Sequence, residues 1–253
     1  CWYCGCHTTV ALRDSPIASY LGVLHREIDI VAGHLRAPLD VRHVHFGGGT
    51  PTILEPGDFV SLVGLLRRRF ALHKEAEIAV EIDPRRLHPE LTRALGEAGV
   101  TRASLGVQSF DPLVQQAINR VQSVEQTAAV VAGLRAAGIG GVNFDLIYGL
   151  PKQTLASCID TVERCLEMRP ERFSIFGYAH VPDFKKHQRR IAGADLPDGR
   201  ARHEQAEAMA ERLVDAGYVR IGLDHFARPE DEMARALGSG SLRRNFQGYT
   251  TDG

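Results

Sequence analysis

A helical repeat of apolar residues is the first structural signal along this chain. Its members recur at intervals of three and four residues: Ile17, Tyr20, Leu21, Leu24, Ile28, Val31 and Leu35. Residues at this spacing lie on one face of an α-helix, so the pattern predicts an amphipathic helix over 17–35. A short strand-like run, VRHVHF at 41–46, follows this helix and ends in glycines.

Strand-like and helix-like segments then alternate. The strand-like runs are 77–82, 103–107, 142–148 and 172–178. Amphipathic helical stretches separate them, at 59–70, 89–98, 124–137 and 155–168. A later unit, 204–216 followed by YVRIGLDHF at 218–226, extends the pattern. This rhythm predicts an α/β fold with parallel strands joined by right-handed crossovers.

Polar residues stand out at the strand ends. Residues 47–50 follow the first strand, and Glu81, Gln108 and Asp145 end, follow or lie within the next three. A doubly wound sheet and a barrel both fit the alternation, and in both the ligand site gathers at the carboxyl ends of the strands. The pattern therefore predicts one shared pocket and leaves the choice of architecture open.

Composition narrows the class of protein. The chain has 253 residues, of which 44% are hydrophobic and 24% charged, and this is typical of a globular domain. Its formal net charge of -1 provides no general attraction for nucleic acid. No apolar run is long enough to cross a membrane, and no signal peptide pattern opens the chain. We therefore expect a soluble, cytoplasmic protein that binds neither nucleic acid nor membrane.

Three of the five cysteines cluster in the opening CWYCGC, at Cys1, Cys4 and Cys6. An odd count clustered in this way indicates a metal site in a reducing compartment rather than a disulfide framework. Thiolates at this spacing suit an iron–sulfur cluster or zinc, for which His7 is a further ligand candidate. The other two, Cys158 and Cys165, share a helical stripe with apolar residues and are predicted to pack in the core.

The segment CWYCGC resembles the end of C-x-x-x-C-x-Φ-C-x-C, where Φ is aromatic. This is the signature of the oxygen-independent coproporphyrinogen oxidases of the radical S-adenosylmethionine (SAM) superfamily. Further similar segments extend the resemblance over nearly the whole chain: GGGTP at 47–51, EIDP at 81–84, NFDLIYGLP at 143–151, DHFARP at 224–229 and NFQGYTT at 245–251. The resemblance implies that Cys1 and Cys4 are two of the three ligands of a 4Fe–4S cluster. The remaining ligand is expected four residues before Cys1, and Cys6 is not a ligand.

Two sets of cofactor contacts are implied by the same resemblance. The cluster-bound SAM would be contacted by Gly48, Glu81 and Ala179. A second SAM would be lined by Tyr3, Gly49, Thr50, Gln108, Arg120 and Asp145. Catalytic side chains beyond these contacts are not identified.

The resemblance also predicts the architecture. Residues 1–253 would form a partial (β/α)6 barrel whose first strand precedes Cys1, with the helix at 17–35 packed outside it. The helical domain that follows the barrel in the family would be absent from this chain.

The implied reaction converts two propionates of coproporphyrinogen III to the vinyl groups of protoporphyrinogen IX, in haem biosynthesis. It would proceed through a 5'-deoxyadenosyl radical, and the protein would act as a monomer. An electron donor such as flavodoxin or ferredoxin would be a partner. A related haem chaperone is the nearest alternative, and Cys6 argues against it because chaperone-like sequences typically carry an aromatic residue there. A zinc-binding module without enzymatic activity is a third alternative.

Asp145 is the most distinctive single residue. It lies in a strand with Val142, Phe144, Leu146 and Ile147, and an isolated carboxylate in apolar surroundings is costly. We therefore expect a polar or charged partner for Asp145, with Arg120 as one candidate. Gln108, Arg120 and Asp145 are expected to converge.

Overall fold

The structure is a computed structural model that describes residues 1–6, 15–37, 39–245 and 248–251. The main helices are α1 (Ser15–His34), α2 (Pro56–Arg69), α3 (Pro89–Glu97), α4 (Pro112–Ala117), α5 (Val124–Ala136), α6 (Leu155–Glu167), α7 (Gly199–Asp215) and α8 (Glu232–Ser239). The strands are β1 (Asp40–Phe46), β2 (Ala71–Ile82), β3 (Arg102–Gln108), β4 (Gly141–Tyr148), β5 (Arg172–Gly177), β6 (Val219–Gly222), β7 (His225–Ala227), β8 (Arg243–Asn245) and β9 (Gly248–Thr250). Short 3-10 helices lie at Pro51–Ile53, Lys186–Arg190 and Gly193–Asp195.

The strand order distinguishes the two architectures that the sequence left open. Seven strands are ordered β1-β2-β3-β4-β5-β7-β6, and β8 pairs with β9 in a separate ladder. A doubly wound sheet reverses its order at a switch point, whereas β1 to β5 follow one another in sequence. Strand β1 pairs parallel with β2, and β4 pairs parallel with β5. This order is that of a partial barrel, and the predicted α/β class is confirmed.

The late extension of the parallel pattern over 218–226 was wrong. This segment forms a hairpin in which β6 pairs antiparallel with β7, and β7 pairs antiparallel with β5. Positive φ angles at Gly222 (143°) and Leu223 (47°) reverse the chain after β6. The interpretation of YVRIGLDHF as one strand missed this turn because leucine is an uncommon residue at positive φ.

The chain divides into two compact units. The first comprises Cys1–Gly5, Leu105–Ala128 and Gly141–Gly253, and the second comprises Cys6–Ser104 and Ala129–Gly140.

The core of the first unit is formed by α6, α7 and the strands they cover. Phe144 and Phe173 meet edge to face with ring centroids 6.1 Å apart, and the ring centroid of Tyr218 lies 5.1 Å from that of Phe173. Helix α6 begins at a capping box in which Thr154 and Ser157 exchange hydrogen bonds. Its buried stripe includes Cys158 and Cys165, each fully buried, so the predicted core packing of both cysteines is confirmed.

The second unit contains the predicted N-terminal helix. On α1, Leu21 and Ile28 are buried against Leu62 and Leu65 of α2. The buried face is narrower than the predicted stripe, because two of its members, Tyr20 and Val31, are exposed. Val23 and Ile30, which lie outside the stripe, are exposed as well.

Candidate functional site

In the second unit, the ends of β1 and β2 bring a glycine turn against a carboxylate. The parallel register pairs Phe46 with Val80, so both strands end at the same level. The backbone N–H of Gly48 donates to Glu81 Oε2 at 3.2 Å, and His45 Nε2 lies 3.2 Å from Glu81 Oε1. The structure thus brings together two of the residues expected around the cluster-bound SAM.

Gly47 lies directly against the side chains of Glu81 and His45. A Cβ at position 47 would lie 2.8 Å from Glu81 Oε1 and 2.9 Å from His45 Nε2, closer than real contacts allow. Gly48 adopts a φ of 108°, which other residues rarely adopt. Farther along the turn, Thr50 donates its hydroxyl to the Gly49 carbonyl at 2.8 Å. These glycines let the backbone pass directly over the Glu81 carboxylate.

In the first unit, the cysteine segment meets a buried arginine. Arg120 is 6% exposed, and its Nη1 donates to Cys1 Sγ at 3.7 Å. Its Nη2 donates to the Gly106 carbonyl and to Gln122 Oε1. A cation beside a sulfur favours the thiolate form that metal binding requires. Arg120 is therefore a buried residue rather than a surface charge.

Gln108 lies beside Arg120 across a glycine. A Cβ at Gly106 would lie 2.7 Å from Gln108 Nε2 and 3.2 Å from Arg120 Nη2, so both side chains occupy the space above Gly106. Gln108 is buried and has a φ of 69°, an uncommon conformation for a residue other than glycine. Strained backbone of this kind clusters at ligand sites.

Asp145 lies in polar rather than apolar surroundings. Asn143 Nδ2 donates to Asp145 Oδ1 at 2.8 Å, and Ser174 is the partner of Asp145 in the β4–β5 register. Strand alternation places the buried Phe144 and Leu146 on the opposite face. Val142, Phe144 and Leu146 therefore lie on the other face and only Ile147 shares the face of Asp145, and the expected hydrogen-bonding partner exists. The convergence of Asp145 with Gln108 and Arg120 stays a prediction.

The same face of the sheet carries a histidine that the sequence analysis missed. In the β5–β7 register, His225 pairs with Ser174, so Asp145, Ser174 and His225 form a row across β4, β5 and β7. The ring of His225 contacts Phe176 and Tyr249 edge-on. Its Nδ1 is buried without a hydrogen-bond partner among the described residues, and burial lowers its pKa. A neutral histidine thus extends the polar row.

Tyr3 and Ala179 are joined by a second residue that the sequence analysis missed. Gln188 Nε2 donates to the carbonyl of Tyr3 at 2.8 Å and to that of Ala179 at 3.2 Å. Gln188 lies inside KKHQRR, a charged run of a kind that is typical of solvent-exposed segments. Only the fold shows that this glutamine is buried.

None of the five cysteines forms a disulfide. Cys1 and Cys6 are exposed, and Cys4 is half-buried. Across residues 1–6, 15–37, 39–245 and 248–251, no three His, Cys, Asp or Glu side chains lie close enough to hold a metal ion. His7, the further ligand candidate for zinc, lies outside the described residues.

Thiol labelling should separate the two groups of cysteines. We expect an alkylating reagent at mildly alkaline pH to modify Cys1, Cys4 and Cys6 in the folded chain, and to spare Cys158 and Cys165. Burial raises the pKa of Cys158 to about 12 and that of Cys165 well above its ordinary value, and the thiolate is the reactive form. Mass spectrometry of digests would read the sites, with guanidinium-unfolded chain as the control for full labelling. Modification of Cys158 as fast as Cys4 in the folded chain would contradict the core assignment.

Comparisons with known proteins agree on one family. The family model described as "Radical SAM superfamily" matches residues 1–165. A protein of Bradyrhizobium diazoefficiens named oxygen-independent coproporphyrinogen III oxidase is 63% identical over 252 residues, which cover 100% of this chain and 56% of the relative. A protein of the same name from Cereibacter sphaeroides is 44% identical over the same shares of both chains.

A solved structure shows the same backbone. The coproporphyrinogen III oxidase HemN of Escherichia coli, described as a radical SAM enzyme, matches with a TM-score of 0.95 and 42% identity. The match covers 100% of this chain and 58% of that one, so this chain spans little more than half the length of these relatives. Within the described part of this chain, no helix has the length and apolar character needed to cross a membrane.

Proposed function

This chain belongs to the radical SAM superfamily, and we propose that residues 1–253 form the catalytic barrel of an oxygen-independent coproporphyrinogen III oxidase. The reaction is the oxidative decarboxylation of two propionates of coproporphyrinogen III to the vinyl groups of protoporphyrinogen IX. The observation that carries this proposal is the 63% identity, over the whole chain, to a relative with this name. Cys6, at the position that distinguishes the oxidases from the haem chaperones, supports it further.

Cys1 and Cys4 would hold two irons of a 4Fe–4S cluster. The donor set fits, because both are thiols outside any disulfide and neither is fully buried. Arg120 beside Cys1 Sγ supplies the positive charge that stabilises a thiolate. When bound and reduced, the cluster supplies the electron that splits SAM into methionine and a 5'-deoxyadenosyl radical.

The remaining site residues would hold SAM. Gly48 lies in a glycine turn whose backbone N–H donates to Glu81, and with Ala179 these two residues would contact the cluster-bound molecule. The second molecule would be lined by Gln108, Arg120 and Asp145, together with Tyr3, Gly49 and Thr50. The Arg120 guanidinium matches a carboxylate, and Asp145 and Gln108 match amino and hydroxyl groups.

The task of the protein in this reaction is to position the propionate and to exclude competing hydrogen donors. Each cycle would transfer one hydrogen atom from a propionate to the 5'-deoxyadenosyl radical and one further electron to a one-electron acceptor, release carbon dioxide and leave a vinyl group. Thiols and other weakly bonded hydrogen donors near the reacting carbon would quench a carbon radical, so a shielded pocket is essential. We propose that a flavodoxin or ferredoxin supplies the reducing electron, and that the enzyme works in the cytoplasm as a monomer.

Anaerobic reconstitution of the complete gene product tests this function. With iron, sulfide, SAM and a reductant, we expect coproporphyrinogen III to be converted to protoporphyrinogen IX with release of two carbon dioxide molecules. Chromatography of the oxidised porphyrins measures the conversion, and omission of SAM is the control. Tight haem binding without any turnover would favour the chaperone, and zinc without iron or sulfide would favour a zinc module.

A further inference from the structure

Three side chains of one short 3-10 helix contact the cysteine segment. Residues 1–6 contain no helix or strand, so their conformation depends on contacts from elsewhere. His187 Nε2 lies 2.6 Å from the Cys4 carbonyl oxygen, and the Arg190 guanidinium lies 5.6 Å from the centre of the Trp2 ring. Both residues belong to the helix Lys186–Arg190.

Gln188, in the same helix, makes the most buried of these contacts. Its side chain is fully buried and uses both ends of its amide. Nε2 donates to the carbonyls of Tyr3 and Ala179, at 2.8 and 3.2 Å, and Oε1 accepts from the Val181 N–H at 2.6 Å. One amide group therefore ties the backbone between Cys1 and Cys4 to the chain that follows β5.

We propose that Gln188 is a positioning residue for the cluster and its SAM. The inference rests on the proposed function, in which Cys1 and Cys4 bind the cluster and Ala179 contacts SAM. The Tyr3 carbonyl lies in the residue before Cys4, so fixing it fixes the direction in which the Cys4 side chain leaves the backbone. Because the same amide also holds Ala179, it fixes the position of this proposed SAM contact relative to the proposed cluster ligand Cys4.

Other contacts act at other parts of the segment. The contact of His187 is exposed, Arg120 reaches Cys1 Sγ at 3.7 Å, the Trp2 N–H donates to the Ile118 carbonyl at 2.9 Å, and the rings of Trp2 and Tyr3 pack on a buried apolar cluster. Without the Gln188 amide, the carbonyls of Tyr3 and Ala179 would lose their buried donor, and such groups seek water. The segment would then sample several conformations, of which only one suits the cluster.

The chain supplies a matched control in Gln205. This residue is also buried, accepts from the Gly149 N–H at 2.9 Å and donates to the Gln153 carbonyl at 3.0 Å. Neither of these bonds reaches the cysteine segment. Substitutions at the two positions therefore remove the same kinds of bonds, and only one set touches Cys1–Gly5.

A cofactor-free measurement comes first. Trp2 is the only tryptophan of the chain, so tryptophan fluorescence reports on the cysteine segment alone. For Gln188→Met, we expect acrylamide quenching of Trp2 to rise at least about twofold, as a locally opened segment admits the quencher. For Gln205→Met, we expect quenching as in the wild type. Equal quenching in all three proteins would overturn the positioning role.

The second measurement uses the complete gene product after anaerobic reconstitution. We expect Gln188→Met to release its cluster to a chelator about tenfold faster than wild type, since each lost hydrogen bond shifts an equilibrium by up to about tenfold. The change that SAM causes in the electron paramagnetic resonance spectrum of the reduced cluster should also weaken. Gln205→Met should match wild type in both.

A second variant tests the same role of Gln188 in case Gln188→Met does not fold. Gln188→Glu keeps the shape and the acceptor for Val181 and replaces the amide donor by a carboxyl group, and Gln205→Glu, which introduces the same group at another buried site, is its control. If either Gln188 variant folds and releases its cluster at the wild-type rate, the residue is merely structural. A wild-type protein that takes up no cluster would overturn the proposed function as well, so the two failures are distinguishable.

Discussion

Replacing Cys4 by serine in the complete gene product should abolish the 4Fe–4S cluster and reduce turnover by at least about 100-fold. Residues that only support a ligand typically change metal affinity or activity about 10- to 100-fold, and the loss of a ligand itself should exceed that range. A serine hydroxyl has nearly the size of the thiol, so the contact of the Cys4 carbonyl with His187 is kept. Iron and sulfide analysis, visible absorption and the porphyrin assay would measure the loss.

Cys6→Ser is the control for this prediction. Cys6 is exposed and two residues beyond Cys4, and in the proposed assignment it is not a ligand. This variant should keep a full complement of iron and sulfide. If Cys6→Ser loses the cluster and Cys4→Ser retains it, the ligands have been misassigned.

The repeating part of the fold was predictable because each unit carries its own signal. The β5 prediction of 172–178 and the α6 prediction of 155–168 agree with the structure to within a residue at each end. Buried parallel strands are short, continuous apolar runs, whereas amphipathic helices repeat their apolar residues every three or four positions. The two patterns are therefore easily distinguished. Helix α4 was missed because its six residues are too short to show a period.

The hairpin of β6 and β7 lay beyond this kind of reasoning. An alternating apolar pattern indicates a strand but carries no information on its direction, and the reversal depends on positive φ angles at two adjacent residues, Gly222 and Leu223. Its consequence for the candidate site is direct, because the antiparallel β7 places His225 beside Ser174.

The site residues also differ in whether the sequence alone could identify them. Glu81 and the glycines at 47–49 are visible in sequence because a carboxylate and a glycine run at strand ends are unusual. Gln188 carries no such mark, since burial within a charged run is a property of the tertiary structure. For Asp145 the signal is mixed, because strand alternation alone places Asn143 on its face, whereas only strand pairing supplies Ser174 as its neighbour.

Asp145→Asn should lower turnover roughly 10- to 100-fold while leaving the fold and the cluster intact. A hydrogen bond to a charged group contributes about 1.5–3 kcal/mol, and an amide cannot supply the charge that the second SAM position is proposed to require. The asparagine Oδ1 can still accept from Asn143 Nδ2, which now lies 2.8 Å from the carboxylate. The free energy of unfolding should therefore change by less than about 1 kcal/mol.

Asp160→Asn provides the matched loss of one carboxylate charge. Asp160 pairs with Arg164 at 2.7 Å on the exposed face of α6, where such pairs contribute little. We expect this variant to equal wild type in turnover, cluster content and urea denaturation. If Asp145→Asn likewise turned over normally, or lost stability in proportion to its lost activity, Asp145 would be structural. Asn143 donates to Asp145, and Ser174 in turn donates to Asn143, so the position of Asp145 does not depend on its charge. A loss of turnover without a loss of stability would therefore show that the charge of Asp145, not its packing, serves the reaction.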